Sequence, residues 1–175
     1  GVGLTSITIG LRHACQRQGL KVSHFKPISQ PTRNLMSTNN HQQQDNLSSD
    51  VNSSLTLEYV EKKLSEGLQA DILEEIVGHF NQHDKSQDVV IIEGLVPTIR
   101  QPYAGRINRD VARALSADIV WVASPENDKP QQFKTRLEVS AETYGGIKNK
   151  RLIGCIINKL NAPDKEEFGL LPTES

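Results

Sequence analysis

The sequence predicts a doubly wound α/β fold built on a mainly parallel sheet. Three observations predict it: short aliphatic runs alternate with helical patterns along most of the chain, the richest of those runs is apolar on both faces, and a glycine turn stands directly before the first helical pattern. Strands that alternate with helices pair in parallel through right-handed crossovers. Ligands of such sheets sit at the carboxyl ends of the strands, so the residues that follow each run carry the functional reading.

From Leu4 to Gln18 the apolar positions Leu4, Ile7, Leu11 and Ala14 recur at helical spacing, and Gly19 follows as a stop. Lys21 to Phe25 reads as a short strand that must end by Lys26, because Pro27 has no N–H for a central ladder. Ser29 to Ser54 is filled with Ser, Thr, Asn and Gln, and within it the stretch 32–53 is expected to form a polar, mobile loop. Leu57, Val60, Leu64 and Leu68 share one helical face. A second helix carries Ile72, Leu73, Ile76, Val77 and Phe80, with Asp71 and Glu74 at capping-box spacing at its start.

Asp88 to Glu93 holds the run Val89-Val90-Ile91-Ile92, too short for a helix and suited to a buried parallel strand closed by Gly94. Ile107, Val111, Ala114 and Leu115 mark the next helix. Asp118 to Ala123 reads as a strand with Trp121 in the core, and Asp128, Pro130 and Gln131 open a longer helix that stops at Gly145-Gly146. Leu152 to Asn158 is the last strand.

The chain has 175 residues, with 20 Lys+Arg against 21 Asp+Glu and a formal net charge of -1. That balance excludes an electrostatic nucleic-acid binder, which needs a basic surplus. With 36% hydrophobic and 23% charged residues the chain is too apolar to be disordered throughout, and a single domain over 1–175 is expected. No run reaches the roughly 18 to 20 apolar residues of a membrane span, and no secretion signal precedes the fold, so a soluble cytoplasmic protein is expected. Cys15 and Cys155 read as two buried free thiols. The chain opens at Gly1, on a glycine turn where a strand would normally lead in, so a first strand is expected to be missing before it.

Three strand ends and one turn carry polar or glycine signatures. Gly1-Val2-Gly3-Leu4-Thr5-Ser6 sets two glycines before a helix N-terminus, where free amides and the helix dipole favour a phosphate group. Against the pattern G-x-x-x-x-G-K-[ST], Gly3 is the last glycine, Leu4 stands at the lysine position and Thr5 supplies the hydroxyl. That lysine offsets charge during phosphoryl transfer, which leucine cannot do, so a degenerate nucleotide loop is expected and triphosphate hydrolysis is not. Lys26 points a cation toward the same crevice, Glu93 ends the most hydrophobic strand beside Gly94, and Asn158 offers an amide at the end of the last strand. Arg100, Arg106 and Arg109 read as a solvated face. His13, His24, His41, His79 and His83 show no ligand spacing and are assigned no metal.

The runs GVGLTS (Gly1 to Ser6), HFKPISQP (His24 to Pro31), VVIIEGLVPT (Val89 to Thr98) and IINKLNAP (Ile156 to Pro163), with the Asn108 to Val122 segment between, resemble the N-terminal domain of long bacterial-type phosphate acetyltransferases. The resemblance covers most of the chain apart from the polar loop and the tail after Asp164. That domain is similar in turn to dethiobiotin synthetase and the cobyrinic acid amidotransferase relatives, which share a phosphate-loop fold. It therefore implies a P-loop NTPase-like, dethiobiotin synthetase-like fold in which Lys26-Pro27 and Glu93-Gly94 are retained while Leu4 replaces the loop lysine, a replacement familiar in the acetyltransferase family.

The resemblance implies that acetyl transfer between acetyl-CoA and phosphate belongs to a C-terminal domain not present in this chain, so this part is itself non-catalytic, with no catalytic residue, no metal and no required cofactor. It implies a regulatory and oligomer-stabilising role, with a small effector such as ATP or NADH docking at Gly1, Gly3, Thr5, Ser6, Lys26, Glu93 and Asn158, and a homo-oligomer assembled through this domain and the missing catalytic one. The alternative is an ATP-dependent carboxylate-activating ligase of the dethiobiotin synthetase or cobyrinic acid diamide synthase type, in which Glu93 holds magnesium and Lys26 positions the acceptor.

Overall fold

The computed structural model describes residues 3–30, 54–82, 86–125 and 127–160. Gly1, the polar stretch 32–53 and the tail after residue 160 lie outside the described residues, as do His41 and His83. The elements in order are α1 (Leu4–Arg17), β1 (Val22–Phe25), β2 (Ile28–Ser29), β3 (Leu55–Thr56), α2 (Leu57–Ser65), α3 (Gln69–Asn81), β4 (Val89–Ile92), α4 (Ala104–Ala114), β5 (Ile119–Ala123), α5 (Pro130–Glu142) and β6 (Leu152–Ile157). The fold is α/β, and every strand pair described is parallel: β1 with β4, β2 with β3 and β5 with β6. Parallel pairs need a crossover between their strands; α2 and α3 lie between β1 and β4, and α5 lies between β5 and β6.

Two compact units form, Gly3–Asp118 and Ile119–Ser175. In the first, α1 packs on β1, α2 on α3, and α3 on α4. The core gathers Phe25, Ile28, Leu55, Val60, Ile72, Ile76 and Ile107, all nearly or fully excluded from water. Phe25 and Phe80 meet with ring centroids 5.5 Å apart at 59°, the tilted geometry that aromatic quadrupoles favour. The apolar stripe of α3 thus goes where its spacing sent it, as do Leu57, Val60 and Leu64 of α2, whereas Leu68 falls beyond α2 as the N-cap of α3 and is exposed. Gly19 ends α1's turn at φ 81°, a left-handed conformation that glycine adopts without Cβ strain.

In the second unit β5 and β6 pair with Trp121 opposite Cys155 and an irregularity between Ile119 and Val120. Arg136 of α5 closes the end of β5, donating from Nη2 to the Ser124 carbonyl at 2.8 Å and from Nε to Asp128 at 2.7 Å.

Several expectations change. A two-residue ladder, Ile28 to Leu55 and Ser29 to Thr56, stands at the two ends of the polar stretch; it is too short to show a period. Helix α3 begins at Gln69 after Leu68, with no side-chain cap, and Asp71 instead pairs with Lys63 at 3.2 Å. The four residues of β4 are half-buried rather than buried, because β1 is the strand paired with it among the described residues. Trp121 is half-buried beside Tyr144 at 6.3 Å. Cys15, on α1, is half-buried, and Cys155 is exposed because β6 alternates and one of its faces, with Ile153 at 62% exposure, is open. Among the described residues no helix is long and apolar enough to cross a membrane.

Candidate functional site

The parallel register of β1 and β4 sets Phe25 beside Ile92, and the Glu93 N–H donates to the Phe25 carbonyl at 2.8 Å, carrying the ladder one residue further. Lys26 and Glu93 therefore leave their strands side by side. Because side chains in a strand alternate with period two, His24 and Lys26 project on the same side of β1. Both reach the one carboxylate: Lys26 Nζ lies 2.9 Å from Glu93 Oε1 and His24 Nε2 lies 3.4 Å from Oε2. Thr5, in the first turn of α1, donates its hydroxyl to Oε1 at 3.2 Å.

Glu93 is only 4% exposed and His24 only 9%. Burial by itself would push the Glu93 carboxyl up. The polar contacts of His24 and Lys26, with the positive charge of Lys26, overcome that penalty and hold it down at about 2. The carboxylate is thus ionised throughout the physiological range. His24 Nε2 is buried 3.4 Å from Glu93 Oε2 and makes no hydrogen bond of normal geometry.

Gly3 is the N-cap of α1 at φ 76° and ψ 33°, with no side-chain cap and no acidic residue in the first turn. Its carbonyl accepts from Ile7 N at 3.1 Å, so the amides of the first turn have no helical acceptor. Uncapped amides and the positive end of a 14-residue helix make that end attractive to an anion. Leu4 occupies the helix's first position, where a lysine would add a second cation beside Lys26.

Of the residues marked in the sequence, Thr5, Lys26 and Glu93 come together, with Gly3 setting the turn and Ser6 exposed one residue beyond Thr5. Gly1 lies outside the described residues. Asn158 belongs to the second unit, where its N–H donates to Ala123 O at 2.7 Å and its side-chain oxygen accepts from Lys159 N at 2.9 Å. Arg109 pairs with the neighbouring Asp110 at 2.8 Å, a half-buried pair and not a freely solvated arginine. His24 was not marked; the signal that could have found it is its place two residues before Lys26 on one strand. The described residues contain no group of three or more His, Cys, Asp or Glu arranged to hold a metal ion.

A family model described as an AAA domain matches residues 1–171. The chain is similar to the phosphate acetyltransferase of Haemophilus influenzae, 40% identical over 174 residues. It is 38% identical over 175 residues to that of Escherichia coli K12 and 33% identical over 175 residues to that of Deinococcus radiodurans. These alignments take in 95%, 95% and 99% of this chain but 24%, 24% and 25% of the relatives, so the chain spans about a quarter of the length of the proteins it matches. A P-loop-like α/β fold, a glycine turn opening α1 and a match along nearly the whole sequence agree: the chain belongs to the AAA domain family.

Proposed function

We propose that this chain is the regulatory and assembly region of a phosphate acetyltransferase, whose larger protein interconverts acetyl-CoA and phosphate with acetyl phosphate and CoA, and that it holds a nucleotide-like effector without hydrolysing it. The observation that carries the reading is the buried Glu93 carboxylate held by Lys26, His24 and Thr5 directly beside the uncapped turn of α1. A phosphate group at that turn takes the first-turn amides and draws on Lys26, whose side chain keeps 32% of its exposure. Leu4 supplies no charge to a leaving phosphate, so binding and hydrolysis are uncoupled. ATP and NADH are the effectors of choice, the protein is cytoplasmic, and copies assemble through this region and the acetyltransferase domain. An effector regulates to the extent that it prefers one conformational state.

One observation favours the ligase reading: Thr5 Oγ1 and Glu93 Oε1 stand 3.2 Å apart, a hydroxyl and a carboxylate suited to a magnesium ion and its water. It ranks second because Lys26 already occupies Oε1 and His24 faces Oε2, so a divalent ion would have to displace a cation.

Titration calorimetry of the chain with ATP-magnesium and with NADH tests the effector site; saturable heat with either supports it, and no heat with both removes it. Leu4→Lys separates the two readings. Silence toward ATP hydrolysis in that variant supports the regulator, and strong hydrolysis supports the ligase.

A further inference from the structure

The backbone that follows Glu93 leaves the ladder and enters the interior, where Leu95 is 4% exposed. A buried peptide group without a partner costs about 1–3 kcal/mol, so its hydrogen bonds must be found elsewhere. Two side-chain amides meet them. The Leu95 N–H donates to Asn108 Oδ1 at 2.8 Å, and Asn108 Nδ2 donates to the Leu95 carbonyl at 2.8 Å. One residue on, the Val96 N–H donates to Gln30 Oε1 at 3.0 Å, and Gln30 Nε2 donates to the Val96 carbonyl at 3.2 Å. Each amide answers both polar groups of one residue, as a neighbouring strand would.

The placement of the two amides bears on the site. Gln30 stands four residues after Lys26 and Val96 three residues after Glu93, so this clamp ties together the two segments that carry the ion pair. Asn108, on α4, fixes the residue next to Gly94, where an added Cβ would fall 2.9 Å from Asn108 Oδ1; the glycine is required because the amide lies against the chain there. We propose that Asn108 and Gln30 are positioning residues that hold the Glu93 carboxylate against Lys26 and Thr5. The inference extends the proposed effector site, but its first readout needs no ligand.

The experiment follows the carboxyl carbon of Glu93 by NMR through an acid titration of the full chain, in the parent, Asn108→Ala and Gln30→Ala. Ile72→Ala, in the same core as Leu95 but with no polar atom in the clamp, serves as a control that loses stability while both amides stay in place. The expected result is that Glu93 ionises near 2 in the parent and in Ile72→Ala, and moves up toward 4.5 in both clamp variants as Lys26 loosens. An unmoved Glu93 in folded clamp variants overturns the proposal and leaves the amides as fillers of loop hydrogen bonds. Should Asn108→Ala not fold, Gln30→Ala, half-buried at the rim, decides by the same criterion. Calorimetry with ATP on the same samples keeps the two readings apart: a moved Glu93 with no ATP heat in the parent removes the effector site alone, and ATP heat with an unmoved Glu93 removes the positioning role alone.

Discussion

Replacing Glu93 by Gln keeps the size and the acceptor oxygen of the side chain and removes its charge. The magnitude follows from the folded carboxyl at about 2 against its ordinary 4.5. That interval corresponds to about 3 kcal/mol at about 1.4 kcal/mol per pH unit. Because the folded value is depressed, the unfolded chain binds the proton more readily, so the stabilisation is complete above about 4.5 and is lost as pH falls toward about 2. Lys26, a third exposed, recovers water once its partner is neutral, which limits the penalty to about 2–3 kcal/mol. Urea unfolding of the parent and Glu93→Gln between pH 7 and pH 2 measures the difference, in which the titrations of all other carboxylates cancel. The loss should be about 2–3 kcal/mol at pH 7 and shrink below about 1 kcal/mol by pH 2. A loss that stays constant with pH would mean that the charge on Glu93 does not stabilise the fold.

Gly94→Ala should cost about 1–3 kcal/mol in urea unfolding, since the new methyl meets Asn108 Oδ1 at 2.9 Å and either the amide or the loop must move; a neutral effect would show that the loop is not held there. Ile72→Ala removes a side chain with no exposure from the centre of the first core and should cost about 2–5 kcal/mol by the same assay. A loss under about 1 kcal/mol would place Ile72 outside the packed core.

The parts of the site that could be read from the sequence are those announced by local chemistry. Gly3 before an amphipathic run, Lys26 before Pro27 and Glu93 closing Val89-Val90-Ile91-Ile92 are each marked by a neighbour that interrupts a pattern. What brings Lys26 to Glu93 is the β1 to β4 register across a sequence separation of 67 positions, and no local period encodes that. His24 entered the site by the same register, and so escaped a search that asked only for histidine spacing. The pairing of Gln30 with Val96 and Asn108 with Leu95 is equally non-local, and polar amides in loops ordinarily read as solvated. Asp71 shows the converse error: its spacing to Glu74 imitates a cap, but Lys63 on the preceding helix lies within 3.2 Å and takes the carboxylate. The openness of Ile153 and Cys155 was hidden because an all-apolar strand looks the same whether one or both faces are covered.

The proposed effector site places a phosphate group at the first turn of α1 beside Lys26 and Glu93. Calorimetric titration of ATP into the parent and into Lys26→Ala, at one salt concentration and with circular dichroism showing both to be folded, tests it most directly. Saturable binding is expected in the parent, with an affinity at least about tenfold weaker in Lys26→Ala, the equivalent of about 1.4 kcal/mol for one charge-assisted contact. Equal affinity in the two proteins would contradict it.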